Sequence, residues 1–226
     1  MNMRYGKSIG KKFYEDGRVR RYPGNTVVAD VTPGCPAYDV MTRLYDTVIE
    51  NGFDKHIILL PHDSYHMTVI RGVNDQVRKD THWPPALSKD APMTEVDDYI
   101  SSAVARAKMP GRIKMKFDKI MLNDGCMVVL LVPANEEQAA ILKEFRDSAA
   151  DEIGFRLPGH DNYRFHISLG YVRIIPEGED KVRIDEMIAK MDKFIADQPP
   201  FEITPPYMAF YDDMFEFSPT RVPRDN

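Results

Sequence analysis

Tyr65-His66-Met67-Thr68-Val69-Ile70 and Phe165-His166-Ile167-Ser168-Leu169-Gly170 repeat one pattern 100 positions apart: aromatic, His, apolar, hydroxyl, branched apolar. On a β-strand, side chains two residues apart share a face. His66 and Thr68 therefore project together while Met67 and Val69 point the other way, and His166 and Ser168 oppose Ile167 and Leu169 in the same manner. Each strand offers an imidazole and a hydroxyl to one surface and anchors its other face in a core. Two such strands facing each other across a cleft would bring two imidazoles to one substrate atom. Thr and Ser make up 17 of the 226 residues, so two bare His-x-Thr/Ser matches among six histidines arise by accident in about one such sequence in fifteen. The matching aromatic and branched neighbours make accident the poorer account.

Outward from these strands the chain alternates strand and helix signals. Residues 26–31 read as a strand closed by Pro33-Gly34, and 36–51 as a helix with Val40, Leu44, Tyr45, Val48 and Ile49 at helical spacing, stopped by Asn51-Gly52. The run 57–60 suits a buried strand, with a turn at His62-Asp63-Ser64. Thr94 to Asp97 resembles a capping box opening a helix to about Met109. Residues 112–120 alternate with Ile113, Met115, Phe117 and Lys119 on one side, and Asn123-Asp124-Gly125 predicts a hairpin to 126–132. Asn135 with Gln138 predicts a helix to about Ile153. A strand is expected at 163–172, a helix near 185–197 ending at Pro199-Pro200, and a closing strand pair after it. Hairpins and alternation favour antiparallel pairing, so the class is α+β. Residues 1–25, with Lys11-Lys12 and Arg18, Arg20 and Arg21 among glycines, read as a loose N-terminal arm or hairpin, a solvated charged segment in preference to a phosphate-binding one. Residues 26–226 read as one domain, and the aperiodic stretch 73–93 as a lid or insertion loop.

Composition narrows the function. A chain of 226 residues buries about 70% of its unfolded surface and needs neither disulfide nor metal to fold. With Lys+Arg 30 against Asp+Glu 35, the net charge of −5 argues against coating duplex nucleic acid, though not against a local cationic pocket. Cys35 and Cys126 have no partner pattern and read as reduced, buried thiols. The start lacks the apolar stretch of a signal peptide, and no run approaches the ~18 residues that span a bilayer, so a soluble, cytoplasmic monomer without membrane contact is expected. No phosphate-loop, dinucleotide or nucleophile-elbow motif is present, and no cofactor is expected. His62 and His66 sit four apart, but Pro61 and the strand pattern argue against a helical metal pair. His160-Asp161 reads as a rim.

His66-Met67-Thr68-Val69 and His166-Ile167-Ser168-Leu169 resemble the paired HxT/S signatures of the 2H phosphoesterases, the LigT-like group, in a bacterial branch. Gly72 resembles the glycine often closing the first motif's strand. The resemblance covers most of 26–217. It implies a bilobal α+β fold, two pseudo-symmetric lobes with helices outside and a central cleft, and metal-independent chemistry on cyclic phosphodiesters such as 2′,3′-cyclic phosphates of nucleotides or RNA ends. Imidazole, with a pKa near 6.5, suits both proton removal from water and proton delivery to a leaving oxygen. Thr68 and Ser168 are the natural donors to non-bridging phosphate oxygens. By parity Arg164 faces the cleft with His166, whereas Arg71 does not unless its strand ends at Ile70. Trp83, in the aperiodic loop, is a candidate for stacking on a base; Tyr65, Tyr163 and Phe165 read as core or flank. Two other classes compete: a binding module that keeps the cleft without turnover, and a metal-dependent hydrolase.

Overall fold

A computed structural model describes residues 3–221; residues 1–2 of the expected arm and 222–226 of the expected domain lie outside them. In chain order the elements are β1 (Gly24–Asp30), α1 (Pro36–Glu50), β2 (Ile57–Leu59), β3 (His66–Asn74), α2 (Met93–Arg106), β4 (Ile113–Leu122), β5 (Cys126–Pro133), α3 (Glu136–Ile153), β6 (His166–Val172), α4 (Gly178–Ala196), β7 (Phe201–Ile203) and β8 (Tyr207–Tyr211). The class is α+β. The eight strands form one antiparallel sheet in the order β7-β4-β5-β6-β3-β1-β8, with β2 pairing on β6.

The two histidine strands are neighbours in this sheet rather than partners across a gap. β3 and β6 meet antiparallel at a single pair, Met67 opposite Ile167. That pair divides the sheet into two halves, β3-β1-β8 and β6-β5-β4-β7. Met67, Val69, Ile167 and Leu169 are fully buried, so one face of the junction is core and the other, by strand parity, carries the histidines. Of the helices, α1 packs on α4 and β6, α3 on α2 and on β3, β4 and β5, and α4 on β4.

Most elements follow the local signals. Val40, Met41, Leu44 and Val48 form the buried stripe of α1, and Asn135 caps α3 by accepting from the Gln138 N–H at 3.0 Å. In the β4–β5 turn, the Asn123 side chain accepts from Gly125 N–H at 2.7 Å. Other readings are corrected. Pro92, not Thr94, sits at the start of α2, and no side chain caps that helix. A register shift between Phe117 and Ile120 turns Ile120 into the core and leaves Lys119 outside, which spares a charge from burial. The helix α4 begins at Gly178, earlier than expected, because its first turns are polar while the buried stripe runs from Ile184 to Ile195. β7 and β8 pair not with each other but with β4 and β1, at opposite edges of the sheet.

The N-terminal segment is also packed down rather than loose. Tyr5 bridges to Ile174 and Phe13 to Val19. Phe13 is fully buried, with ring centroids 5.0 Å from Tyr171 and 5.9 Å from Phe215. Gly6 passes so close to Val172 that a Cβ there would fall 2.0 Å from its carbonyl oxygen, so only glycine fits. Cys35 and Cys126 are free and half-buried. Among the described residues no helix is long and apolar enough to cross a membrane.

Candidate active site

The open face of the β3–β6 junction floors a cleft of about 370 Å³ whose lining includes His66, Thr68, His166 and Ser168 together. Because the strands run antiparallel from the Met67–Ile167 pair, one step in either direction brings His66 towards Ser168 and Thr68 towards His166. The two motifs are thus related by a pseudo-twofold axis through that apolar pair, which is the reason both imidazoles converge on one site.

The likeness extends beyond the motifs. On β3 the register against β1 slips between Val28 opposite Thr68 and Val27 opposite Ile70, so Val69 and Ile70 are both buried. On β6 the register against β5 slips between Val128 opposite Ser168 and Met127 opposite Gly170, with Leu169 and Gly170 both buried. A bulge reverses the facing of everything beyond it. Arg71 and Tyr171, again 100 positions apart, consequently line the cleft, against the simple parity that kept Arg71 out. Gly72 then runs so close to β1 that a Cβ would lie 2.1 Å from Asn25 Oδ1.

The two imidazoles are held alike. His66 Nδ1 lies 2.7 Å from the Ser64 carbonyl and His166 Nδ1 lies 2.8 Å from the Arg164 carbonyl. A carbonyl only accepts, so Nδ1 carries the proton in both rings and Nε2 is left free for chemistry. Burial pushes His66 down to about 4, against a smaller upward pull from the Ser64 carbonyl, with His166 a minor further depressant. Phe217 covers it, ring centroids 4.1 Å apart. His166 is also lowered, first by burial and then by the positive charges of Arg71, Lys12 and Arg164, while the Arg164 carbonyl opposes this.

Thr68 meets the Tyr163 phenol, which burial raises to about 12. The Arg146 guanidinium, from α3, lies 4.5 Å over the Tyr163 ring, donates to His160 O at 2.7 Å and holds the Val69 carbonyl at the bulge. Arg71 donates to Pro158 O at 2.6 Å and keeps the rim of the 155–163 loop in place. Tyr163 is therefore a wall of the cleft rather than only flank.

Several expected residues lie elsewhere. Arg164 is exposed and outside the lining: β6 begins only at His166, so strand parity does not reach back to it, and its carbonyl rather than its guanidinium serves the site. Trp83 is 1% exposed, donates its indole N–H to Ser88 O at 3.0 Å and lies under Arg78 at 4.4 Å, so it packs the loop instead of offering a stacking face. The loop it anchors contributes Val77 and His82 to the cleft. His62 packs among Tyr45 and Tyr65, with centroids at 4.6 and 5.4 Å. Among the described residues, Asp147, His160 and Asp161 have atoms within 4.8 Å that could ligate a metal, but they lie outside the cleft. Asp147 there is already engaged by Lys143, Arg156 and His160.

The sequence matches the family described as "2H-phosphodiest: Domain of unknown function (DUF1868)" over residues 12–126. The chain belongs to the 2H-phosphodiesterase family. The match contains the first histidine motif and stops short of the second, whose place the tertiary structure supplies. A crystal structure of a conserved protein of unknown function, ATU0111 from Agrobacterium tumefaciens str. C58, is similar at 27% identity and a TM-score of 0.85, covering 96% of this chain and 92% of that one. LigT of E. coli, in apo form, aligns at 12% identity and a TM-score of 0.45 over 84% of this chain and 88% of its own. TT0787 of Thermus thermophilus aligns at 12% and 0.44, over 83% and 85%. No curated protein matches the chain in sequence. Membership of the 2H phosphodiesterases supports a phosphodiesterase-like function for this cleft.

Proposed function

We propose that the protein is a cyclic phosphodiesterase that opens a 2′,3′-cyclic phosphate on a nucleotide or RNA end by paired imidazole catalysis. The observation that carries this reading is the matched posture of His66 and His166, each tied by Nδ1 to the carbonyl two residues before it and both lining one cleft. One neutral Nε2 removes a proton from water as its oxygen attacks phosphorus. The other imidazole, protonated, gives its proton to the ribose oxygen as the ring P–O bond breaks, leaving a phosphomonoester. Thr68 and Ser168 donate to the non-bridging oxygens as charge builds there.

We assign His66 the role of base, because burial keeps it neutral throughout the neutral range. His166 then serves as acid. The charges of Arg71 and Lys12 that hold its proton affinity down are offset when an anionic substrate arrives. The consequence for pH is specific. In the free enzyme His166 loses its proton below the ordinary value of about 6.5, so kcat/KM falls as pH rises through that region. The same limb in kcat lies at higher pH because bound substrate favours the imidazolium. Initial-rate profiles from pH 4 to 9 check this; a kcat/KM flat to pH 8 would contradict the assignment.

The reading itself is tested by offering 2′,3′- and 3′,5′-cyclic nucleotides and cyclic-phosphate-ended RNA to the protein in EDTA. Turnover of the 2′,3′-cyclic class with activity retained in EDTA is expected. Binding without turnover would mark a recognition module, and loss in EDTA with recovery on added metal would mark a metal-dependent hydrolase.

A further inference from the structure

Lys12 belongs to the N-terminal segment, far in sequence from both motifs, yet it lines the same cleft. Its ammonium donates to the Tyr171 hydroxyl at 3.1 Å and lies 4.7 Å over the Tyr171 ring and 5.2 Å over the Tyr22 ring. The Tyr171 hydroxyl is fixed in turn by donating to Met214 Sδ at 3.3 Å. The anchor that brings Lys12 here is the neighbouring Phe13, sealed between Tyr171 and Phe215. Burial lowers the proton affinity of this amine, with Tyr22 and Cys126 pulling less strongly the other way.

The charge balance of the cleft is one-sided. Its lining holds Lys12 and Arg71 and no Asp or Glu among the described residues, in a protein whose net charge is −5. The polar partners of Arg71 and Lys12 are a backbone carbonyl and a phenol, neither of which neutralises a cation. A partly buried ammonium without a counter-charge is costly unless a ligand supplies one. A cyclic phosphodiester brings a single negative charge, and that charge sits between the two histidines. Arg71 and Tyr171 follow equivalent bulges on antiparallel strands, so they extend from the central pair in opposite directions and frame an elongated site. The single charge of one central phosphodiester balances only one of these two cations.

We infer that the substrate carries a second phosphate group besides the reacting one, and that Lys12, held by Tyr22 and Tyr171, binds it. The inference rests on the reading of the cleft given above and narrows its substrate class to phosphorylated nucleoside cyclic phosphates, such as those bearing a 5′-phosphate. The same tyrosine rings line the path along which the nucleoside would lie.

The test is direct binding, which does not depend on turnover. Adenosine 2′-monophosphate and adenosine 2′,5′-bisphosphate, ring-opened 2′-phosphates without and with a 5′-phosphate, are titrated calorimetrically into wild type, Lys12→Met and Lys12→Arg. All three proteins are checked for an unchanged melting temperature. Wild type is expected to bind the bisphosphate at least tenfold more tightly than the monophosphate. That advantage shrinks below threefold in Lys12→Met and persists in Lys12→Arg, which keeps the charge. Equal binding of the two nucleotides by wild type overturns the inference, as does an advantage that survives Lys12→Met. If Lys12→Met proves unstable, the outcome is decided by Tyr171→Phe, which removes the hydroxyl that holds the ammonium and should likewise erode the bisphosphate advantage. Failure to hydrolyse any cyclic nucleotide bears on the proposed reaction, whereas these affinity ratios bear on Lys12 alone.

Discussion

His66→Ala and His166→Ala each lower kcat on a 2′,3′-cyclic nucleotide at least a hundredfold while the protein remains folded. General acid or base catalysis by one positioned side chain contributes roughly 10²–10⁴-fold, and the proposed reaction uses one imidazole on each side of the phosphorus. Both rings project from the open face of the sheet, while the apolar contact that joins the halves is made by Met67 and Ile167, which neither substitution touches. Each variant frees one backbone carbonyl, that of Ser64 or Arg164, and leaves the strand pairing in place. Loss of turnover without loss of fold is therefore the expected combination. The double variant should fall well short of the product of the single effects, because groups that act as a unit are not additive. Steady-state rates with a thermal melt on each purified variant check the prediction. Near-normal turnover by either one removes that histidine from the reaction.

Trp83→Ala should be strongly destabilising. The indole is 1% exposed, hydrogen-bonded to Ser88 O and covered by Arg78. Arg78 in turn holds the Lys89 and Ala91 carbonyls at 2.6 and 2.8 Å and pairs with Asp75. This single stack organises the 75–92 loop, which otherwise has only a short 3₁₀ turn at Asp80–His82. Removing a buried Trp costs about 3–5 kcal/mol, equivalent to a fall of roughly 6–20 °C in Tm for a chain of this size. Activity falls as well, since Val77 and His82 on the same loop wall the cleft. Thermal unfolding of Trp83→Ala and Trp83→Phe, with KM measured beside it, separates packing from stacking. A raised KM at unchanged Tm would restore Trp83 as a base-stacking residue.

The short-range part of the architecture was legible from residue order alone. Strand parity put His66 with Thr68 and His166 with Ser168 on one surface, the Asn-Asp-Gly turn announced a hairpin, and Asn135 announced a helix. Each of these depends only on neighbours a few positions apart, whose geometry the backbone repeats dictate. Three-dimensional pairing decided the rest. A one-residue slip reverses which way a strand's side chains face, and that slip is set by the partner strand. Hence Arg71 and Tyr171 enter the cleft while Arg164, lying before its strand begins, does not. Lys12 reads locally as one charge of a solvated arm, because its position comes from Phe13 sinking between Tyr171 and Phe215, contacts that span most of the chain. Trp83 gave a misleading signal for the same reason: an aromatic in an aperiodic loop looks available until the loop folds back over it. Residue order chose the chemistry of the site; tertiary packing chose which charges surround it.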